Sequence, residues 1–96
     1  MAERKKYDSG LIAVGKLITD KRKALGASYK TREGFINNRS EEIFEGEAWI
    51  SIRHFTNLEL GKNWLSIEML LKLSAALEED PIDFFEEIIR TYQNYK

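Results

Sequence analysis

The sequence predicts an all-α protein, and three observations support this fold class. Apolar residues recur three or four positions apart in successive segments, as they do on one face of a helix. Several segments follow a residue that can cap a helix N-terminus, namely Ser51, Ser66 and Asp80. Gly26 and Gly61 stand where helices would end, because glycine readily adopts the left-handed conformation that terminates a helix.

Length and composition limit what such a protein can do. A chain of 96 residues with 43% hydrophobic residues forms one domain with one core, too small for a deep cleft between lobes. It has no cysteine and one histidine, so disulfides, thiolate metal sites and imidazole clusters are excluded, and we expect no metal and no cofactor. No apolar run approaches membrane-spanning length and no apolar stretch follows the charged N-terminus, so we expect a soluble, cytoplasmic protein.

The net charge of −1 hides an asymmetry along the chain. Residues 1–40 hold ten Lys/Arg against four Asp/Glu, whereas residues 41–96 hold five against twelve, giving +6 and −7. Exposed charges farther apart than a Debye length of about 8–10 Å are largely screened, so a basic surface can bind phosphates locally. Lys16, Lys21 and Lys23 of the first predicted helix either make such contacts or only solvate the helix.

Residues 1–10 are expected to be a flexible basic segment, followed by one domain over residues 11–96. The helical spacing starts near Ser9 and places Leu11, Val14 and Ile18 on one face, with Gly26 ending the helix.

The second helix has two possible starts. Thr31 can cap a helix in which Phe35 points inward, and Ser40 can cap one with Glu41 in its first turn, so both starts could be used. Gly46 then interrupts this segment in an exposed turn. Trp49 returns the chain to the core as a packing anchor, or alternatively offers a surface on which a base could stack.

The next two helices are short and closely joined. Ser51 caps a helix of about ten residues whose apolar side holds Phe55 and Leu58. Its other side carries hydrogen-bond donors and acceptors, namely Arg53, His54, Thr56 and Asn57. A helix surface that only faces solvent more often carries Glu and Lys. After a tight turn at Gly61, Ser66 caps a fourth helix with a buried stripe of Leu70, Leu73, Ala76 and Leu77.

Asp80 and Pro81 mark the start of a last helix, since aspartate caps and proline is pre-organised for the first helical position. This helix carries more apolar residues than a small core needs. Either Ile82, Phe85 and Ile89 close the core with Phe84 and Ile88 at its edge, or part of the helix forms a dimer interface through Phe84, Ile88 and Tyr92.

These segments resemble the lambda-repressor-like helix-turn-helix domain of the Xre/Cro family over about residues 11–89, most specifically in the C-terminal half. The resemblance implies five helices, of which the third enters the DNA major groove. The residues that carry it are Val14, Gly15, Ile18, Arg22, Gly26, Ile50, Ser51, Phe55, Leu58, Glu59, Gly61, Lys62, Ser66, Leu70, Leu71, Lys72, Leu73, Ala75, Ala76, Leu77, Asp80 and Phe85.

The resemblance makes residues 51–60 the recognition helix, with Ile52, Arg53 and Asn57 at base edges. Arginine can bond guanine O6 and N7, asparagine can bond adenine N6 and N7, and isoleucine can meet a thymine methyl, so Arg53 is the strongest candidate for specificity. Arg32 takes a phosphate-holding position that is usually glutamine, while Arg22 and Glu59 match a partly buried structural salt bridge. The implied DNA-binding residues are Ser51, Ile52, Arg53, His54, Asn57, Lys62, Asn63 and Arg32.

The sequence departs from this family in two places. The helix-turn-helix connection is normally three or four residues, whereas residues 37–49 leave room for an added turn or short helix. An ungapped register would start the second helix at Ser40 and set Glu41 against a phosphate; we prefer the Thr31 start because it offers Arg32 to DNA. At Trp64 and Leu65 a polar residue followed by proline is common, so an aromatic plug or an added contact surface is expected.

The resemblance therefore implies a sequence-specific regulator of transcription, a repressor, that binds a double-stranded DNA operator as a homodimer and is controlled by concentration, dimerisation or a regulatory protein partner. The alternative is a protein-interaction module on the same fold, an antitoxin or accessory factor, whose acidic residues 41–47 and 78–87 bind a basic partner. An enzyme is not expected, because His54 and Glu59 lie on different helix faces and no nucleophile is paired with a base.

Overall fold

The computed structural model describes residues 8–95, which form five α-helices and, within that range, no β-strand. A short 3-10 helix, Ala27–Tyr29, lies between the first two helices. The all-α prediction is confirmed. The helices are α1 (Ser9–Ala24), α2 (Arg32–Ile43), α3 (Ile52–Glu59), α4 (Ile67–Ala76) and α5 (Pro81–Tyr95).

The first helix begins two residues before the predicted domain boundary. The Asp8 carboxylate caps it by accepting a hydrogen bond from the Leu11 amide at 3.1 Å, and Ser9 and Gly10 are already helical. The basic segment at residues 1–7 lies outside the described residues. Gly26 follows the helix, as predicted, but with φ +135° and ψ 179° it is not in the left-handed helical conformation; this backbone geometry is one that glycine adopts readily because it has no Cβ.

The second helix starts at Thr31, as the preferred register predicts. The Thr31 hydroxyl accepts from the Gly34 amide at 3.0 Å, and α2 then runs without a break through Ser40. The second start at Ser40 is wrong: its hydroxyl donates to the Glu47 carbonyl at 2.7 Å and fastens the following turn to the helix. The additional residues therefore lengthen α2 and form an eight-residue connection, residues 44–51.

Trp49 is a core anchor. Its side chain is buried, its indole N–H donates to the Ile36 carbonyl at 3.0 Å, and its ring stacks on Phe44 with centroids 4.9 Å apart. The alternative of base stacking by Trp49 is wrong, because a ring held inside the core offers no face to a nucleotide.

Replacing Trp49 with phenylalanine should lower the free energy of unfolding by about 1–2 kcal/mol, because the indole hydrogen bond and part of the packed ring are lost. Urea denaturation at low protein concentration measures this. Trp64→Phe is the matched control: Trp64 is 45% exposed, so the same change there should stay within about 0.5 kcal/mol. Equal losses in the two variants would contradict the anchoring role of Trp49.

The core lies where all five helices meet, with α5 packed along α1. The predicted α4 stripe is confirmed, and Ser66 caps this helix through the Met69 amide at 3.0 Å. The core residues are Val14, Ile18, Phe35, Ile36, Trp49, Ile50, Phe55, Leu58, Leu70, Leu73, Ala76, Leu77, Phe84 and Ile88.

The orientation of α5 corrects both expectations for this helix. Its start at Asp80 and Pro81 is confirmed, and the Asp80 carboxylate accepts from the amides of Ile82 and Asp83. Phe84 and Ile88 are 0% and 4% exposed, because the cap register turns them toward the core, so they cannot form a dimer face. The Tyr92 hydroxyl lies 3.2 Å from the Asp8 carboxylate at the start of α1. Residues expected to close the core are instead exposed, namely Ile82, Phe85 and Ile89.

No helix within residues 8–95 has the length and apolar character needed to cross a membrane.

Candidate nucleic-acid interface

Helix α3 has a buried side and an exposed N-terminal end. Phe55, Leu58 and Glu59 are buried, whereas each of residues 51–54 is exposed. The Ser51 hydroxyl accepts from the His54 amide at 3.0 Å, so Ser51 is the predicted N-cap. The helix therefore carries side chains at its N-terminus that the core does not use.

The predicted base-reading residues differ in exposure. Ile52 is 48% exposed although it is apolar, and Arg53 is exposed and forms no ion pair with any residue in the described range. Asn57 is half-buried one turn later, and its backbone carbonyl accepts from the Lys62 amide at 2.9 Å. The structure thus brings Ile52, Arg53, His54 and Asn57 onto one short helix, with the Arg53 guanidinium available to a ligand.

The predicted phosphate contacts in the turn lie at the other end of α3. Gly61 has φ +75° and turns the chain back, leaving Lys62 and Asn63 exposed. An eight-residue helix is about 12 Å long, so this turn and Arg53 would contact different parts of any large ligand. Ser66 and the backbone amides in the first turn of α4 come directly after this turn in the chain.

Glu59 joins three helices through a buried ion cluster. Its carboxylate accepts from the Arg22 guanidinium of α1 at 2.8 and 3.1 Å and from Arg32 Nε of α2 at 2.6 Å. Arg22 also donates to the carbonyls of Tyr29 and Lys30, so this buried cation bonds three other residues. The predicted salt bridge between Arg22 and Glu59 is confirmed.

The participation of Arg32 in this cluster was not predicted. Its side chain is 33% exposed and bonds Glu59 only through Nε. Glu59 therefore fixes the stem of Arg32, and a phosphate could reach only its terminal nitrogens. The sequence does carry one signal for this contact, because a cap at Thr31 places Arg32 in the first turn of α2. In the structure this end of α2 lies next to Glu59, the residue of α3 that also pairs with Arg22.

Two glycines allow α3 to approach α1 closely. A Cβ on Gly15 would overlap the Glu59 carbonyl, and one on Gly61 would lie 2.5 Å from the Ile12 Cα. Both contacts involve backbone atoms, which cannot rotate away as a side chain would. The C-terminal end of α3 is therefore held against α1 by close backbone packing and by the ion cluster of Glu59.

A second ionic network was also missed by sequence reasoning. Arg39 of α2 is buried and donates to Glu42 at 3.0 Å and to Glu78 at 2.7 Å, with its guanidinium over the Tyr29 ring. Tyr29 in turn donates its hydroxyl to Glu42, and this hydrogen bond raises the pKa of Tyr29. Contacts of this kind depend on which helices meet, and spacing along the chain does not reveal them.

Lys21 is partly buried and paired with two carboxylates rather than free in solvent. Its ammonium lies 3.1 Å from Glu79 and 2.9 Å from Glu87. Burial alone would lower the pKa of Lys21, but its hydrogen bonds to Glu87 and Glu79 outweigh this and raise it. Of the three lysines considered for phosphate contact, only Lys16 and Lys23 are exposed, so the basic surface is smaller than the count of residues suggests.

The long α2 and its connection to α3 form an open groove beside Ile52. The groove has a volume of about 610 Å³ and is bounded on the α2 side by Glu33, Asn37 and Glu41. Carboxylates at this position would repel a phosphate backbone that entered the groove.

Comparisons with protein-family models, with curated proteins and with solved structures found no match to this chain.

Proposed function

We propose that this protein is a sequence-specific double-stranded DNA-binding regulator of transcription, acting as a repressor, on a lambda-repressor-like helix-turn-helix fold. The observation that carries the proposal is α3 itself. Four successive exposed residues at its N-terminus, 51–54, stand on a helix whose other side is fixed in the core. A helix presented in this way fits the major groove, which is about 12 Å wide.

The exposed side chains have the chemistry for reading bases. Arg53 supplies a planar fork of donors for guanine, and Ile52 supplies an apolar surface for a thymine methyl. Asn57 can pair with adenine, and its half-buried position limits the angles at which it does so. Together these residues would read adjacent base pairs from one helix.

Three further residues would fix the helix on the phosphate backbone without reading sequence. Lys62 and Asn63 are exposed in the turn after α3, and the terminal nitrogens of Arg32 complete the set. Because Lys62 forms no ion pair within residues 8–95, its charge is available to a phosphate. Occupation of a promoter by such a protein would block polymerase sterically, without catalysis.

Arg53→Ala should reduce discrimination at one base pair by about 1–3 kcal/mol while leaving binding to other positions unchanged. Selection of bound sequences from random duplex DNA, at two salt concentrations, measures this. Arg90→Ala is the control for loss of one positive charge: Arg90 is exposed on α5 beside Glu86, so its removal should leave the base preferred at each position of a half-site unchanged. An enriched site that is identical for wild type and Arg53→Ala would contradict this assignment.

The same measurement separates base contacts from phosphate contacts. Lys62→Ala should weaken binding to all sequences similarly and reduce the slope of log affinity against log salt by about 1. If no sequence is enriched and binding is negligible even at low salt, the proposed function fails.

One observation favours a second candidate, a protein-interaction module that binds a basic partner. Glu41 on α2 and Glu45 and Glu47 in the connection that follows it are exposed and form no ion pair within residues 8–95. The acidic segment at residues 78–87 is a weaker candidate, because Glu78 is paired with Arg39 and two of its other carboxylates are paired with Lys21. Absence of salt-sensitive DNA binding would favour this second function.

A further inference from the structure

The groove beside α2 lies between residues 33–41 of that helix and residues 46–52 of the connection to α3, and we name it the α2 groove. Its volume of about 610 Å³ falls within the roughly 300–1,000 Å³ of sites that hold ligands. Because the groove is open to solvent along a helix, an elongated ligand fits it better than a compact one.

The connection runs back along α2 as an extended chain. The Ser40 hydroxyl donates to the Glu47 carbonyl, and the Trp49 indole N–H donates to the Ile36 carbonyl. Two steps along the connection therefore pass four residues of α2, a distance of about 6 Å. This is the rise of an extended chain over two residues.

The connection presents main-chain groups that have no partner. The backbone N–H and C=O groups of Ala48, Trp49 and Ile50 form no hydrogen bond within the described part of the chain, and all three residues line the α2 groove. Unpaired groups of an extended segment can bond a second extended chain, as in β-strand addition. The ligand that this wall favours is therefore a peptide in extended conformation.

The opposite wall, on α2, is acidic. Glu33, Asn37 and Glu41 occur at every fourth residue of the helix, so they lie on one side of it, and all three are exposed. The two carboxylates form no ion pair within residues 8–95, and no lysine or arginine is among the residues that line the groove. A peptide that complements this wall carries positive charge.

The spacing of the carboxylates defines the peptide further. Glu33 and Glu41 are eight helical residues apart, which is about 12 Å along α2. An extended peptide advances about 13 Å over four residues, so Lys or Arg side chains four positions apart match the two carboxylates. Ile36 and Ile52 also line the groove and provide an apolar surface for a residue between the two charges.

We propose that the α2 groove binds a basic segment of a partner protein in extended conformation. Two cations four positions apart face Glu33 and Glu41, and the main chain of the segment bonds residues 48–50. The proposal narrows the second candidate function to one site and one binding mode, and it rests on that function. It differs from general attraction to the acidic connection, because Glu45 and Glu47 do not line the groove.

A segment bound in the α2 groove would also exclude DNA from α3, a consequence that rests on the proposed DNA binding. Ile52 lines the groove and is one of the residues proposed to meet a base edge; its side chain is 48% exposed. A helix about 10–12 Å wide already fills a major groove about 12 Å wide. No room is left there for a second chain lying on Ile52, so the partner would act as an inducer.

The first experiment selects peptides from a phage-displayed library of random linear eight-residue sequences on the wild-type protein, without DNA. We expect enrichment of peptides with two Lys or Arg residues four positions apart and an apolar residue between them. The most enriched peptide, labelled with fluorescein, then gives a dissociation constant by fluorescence anisotropy. Added to isotopically labelled protein, it should shift the amide resonances of Ala48, Trp49 and Ile50 more than those of other residues.

Two double variants separate the groove from acidity in general. Glu33→Gln combined with Glu41→Gln should weaken peptide binding about fivefold, since each exposed ion pair contributes a factor of about two to three. Glu45→Gln combined with Glu47→Gln removes the same charge from exposed sites outside the groove, so it should change binding less than about twofold. Circular dichroism of both variants verifies that they are folded.

Four results would overturn the proposal. These are a selection that enriches no peptide, enrichment of peptides that lack basic residues, equal loss of binding in the two double variants, and amide shifts confined to other parts of the protein. Equal losses would leave the second candidate function standing without the groove. None of these measurements contains DNA, so they decide the peptide site whether or not the protein binds DNA.

Exclusion of DNA is measured separately, with a duplex that carries the sequence enriched by the wild-type protein. Unlabelled peptide should displace the labelled duplex, and the apparent dissociation constant for DNA should rise in proportion to the peptide concentration above its own dissociation constant. A ternary complex of protein, peptide and duplex at saturating peptide would contradict exclusion.

Discussion

Replacing Glu59 with leucine should lower the free energy of unfolding by about 3–5 kcal/mol, the usual cost of leaving a buried charge without its partner. The Arg22 side chain is 3% exposed and that of Glu59 is 0% exposed, so Arg22 would stay charged in the core without a carboxylate. Its hydrogen bonds to the Tyr29 and Lys30 carbonyls would remain but would not neutralise it. Urea denaturation followed by circular dichroism measures the loss.

Two further variants separate loss of the ion cluster from a general effect of leucine. Glu68→Leu removes a carboxylate whose side chain is 81% exposed, and it should change stability by less than about 1 kcal/mol. Arg22→Met combined with Glu59→Leu removes both buried charges and should recover at least about 1 kcal/mol of the loss, because a buried pair replaced by apolar groups is often tolerated. A Glu59→Leu variant as stable as Glu68→Leu would rule out this account of the cluster.

Gly15→Ala should destabilise the protein by about 3 kcal/mol, although alanine favours helices. The added methyl would overlap the Glu59 carbonyl, so α1 and α3 would have to move apart and lose packing around Phe55 and Leu58. Because α3 is displaced, binding to any ligand read by its N-terminal residues should weaken as well. Thermal unfolding measures the first effect.

The control for Gly15→Ala is the reverse change at an exposed helical site. Ala75 is exposed on α4, and Ala75→Gly should cost only about 0.5–1 kcal/mol, the intrinsic preference of a helix for alanine. If the close approach of α1 and α3 did not matter, Gly15→Ala would instead stabilise the protein by a similar amount of free energy. A stabilised Gly15→Ala variant would therefore show that α1 and α3 are less closely packed than the contact implies.

The helices were predictable because their signals are local. The caps at Thr31, Ser51, Ser66 and Asp80 each accept the hydrogen bond that their position in the sequence predicts. The stop at Gly61 was predictable for the same reason, since a left-handed residue after a helix is a property of a few neighbouring positions. The salt bridge of Arg22 with Glu59 came from the family resemblance rather than from local pattern.

Features that depend on how helices meet were not predictable. The rotation of α5 was assigned incorrectly because the apolar side of this helix is wider than the strip that the core covers. Polar residues such as Asp83, Glu86 and Arg90 mark the side that faces solvent, but they do not show which edge of the apolar side faces the core. In the same way, Arg32 was expected to serve only DNA because its contact with Glu59 requires α2 and α3 to be placed side by side.

The two ends of α3 differ in how much the fold depends on them, and this affects which residues can be substituted. Arg53 and His54 are exposed and lie outside the core, so substitutions there should shift stability by no more than about 0.5 kcal/mol. Glu59, at the other end of the same helix, cannot change without disturbing three helices at once. Substitutions at these exposed positions are therefore nearly neutral for folding, and the side chains that α3 presents to solvent could change while the scaffold remains the same.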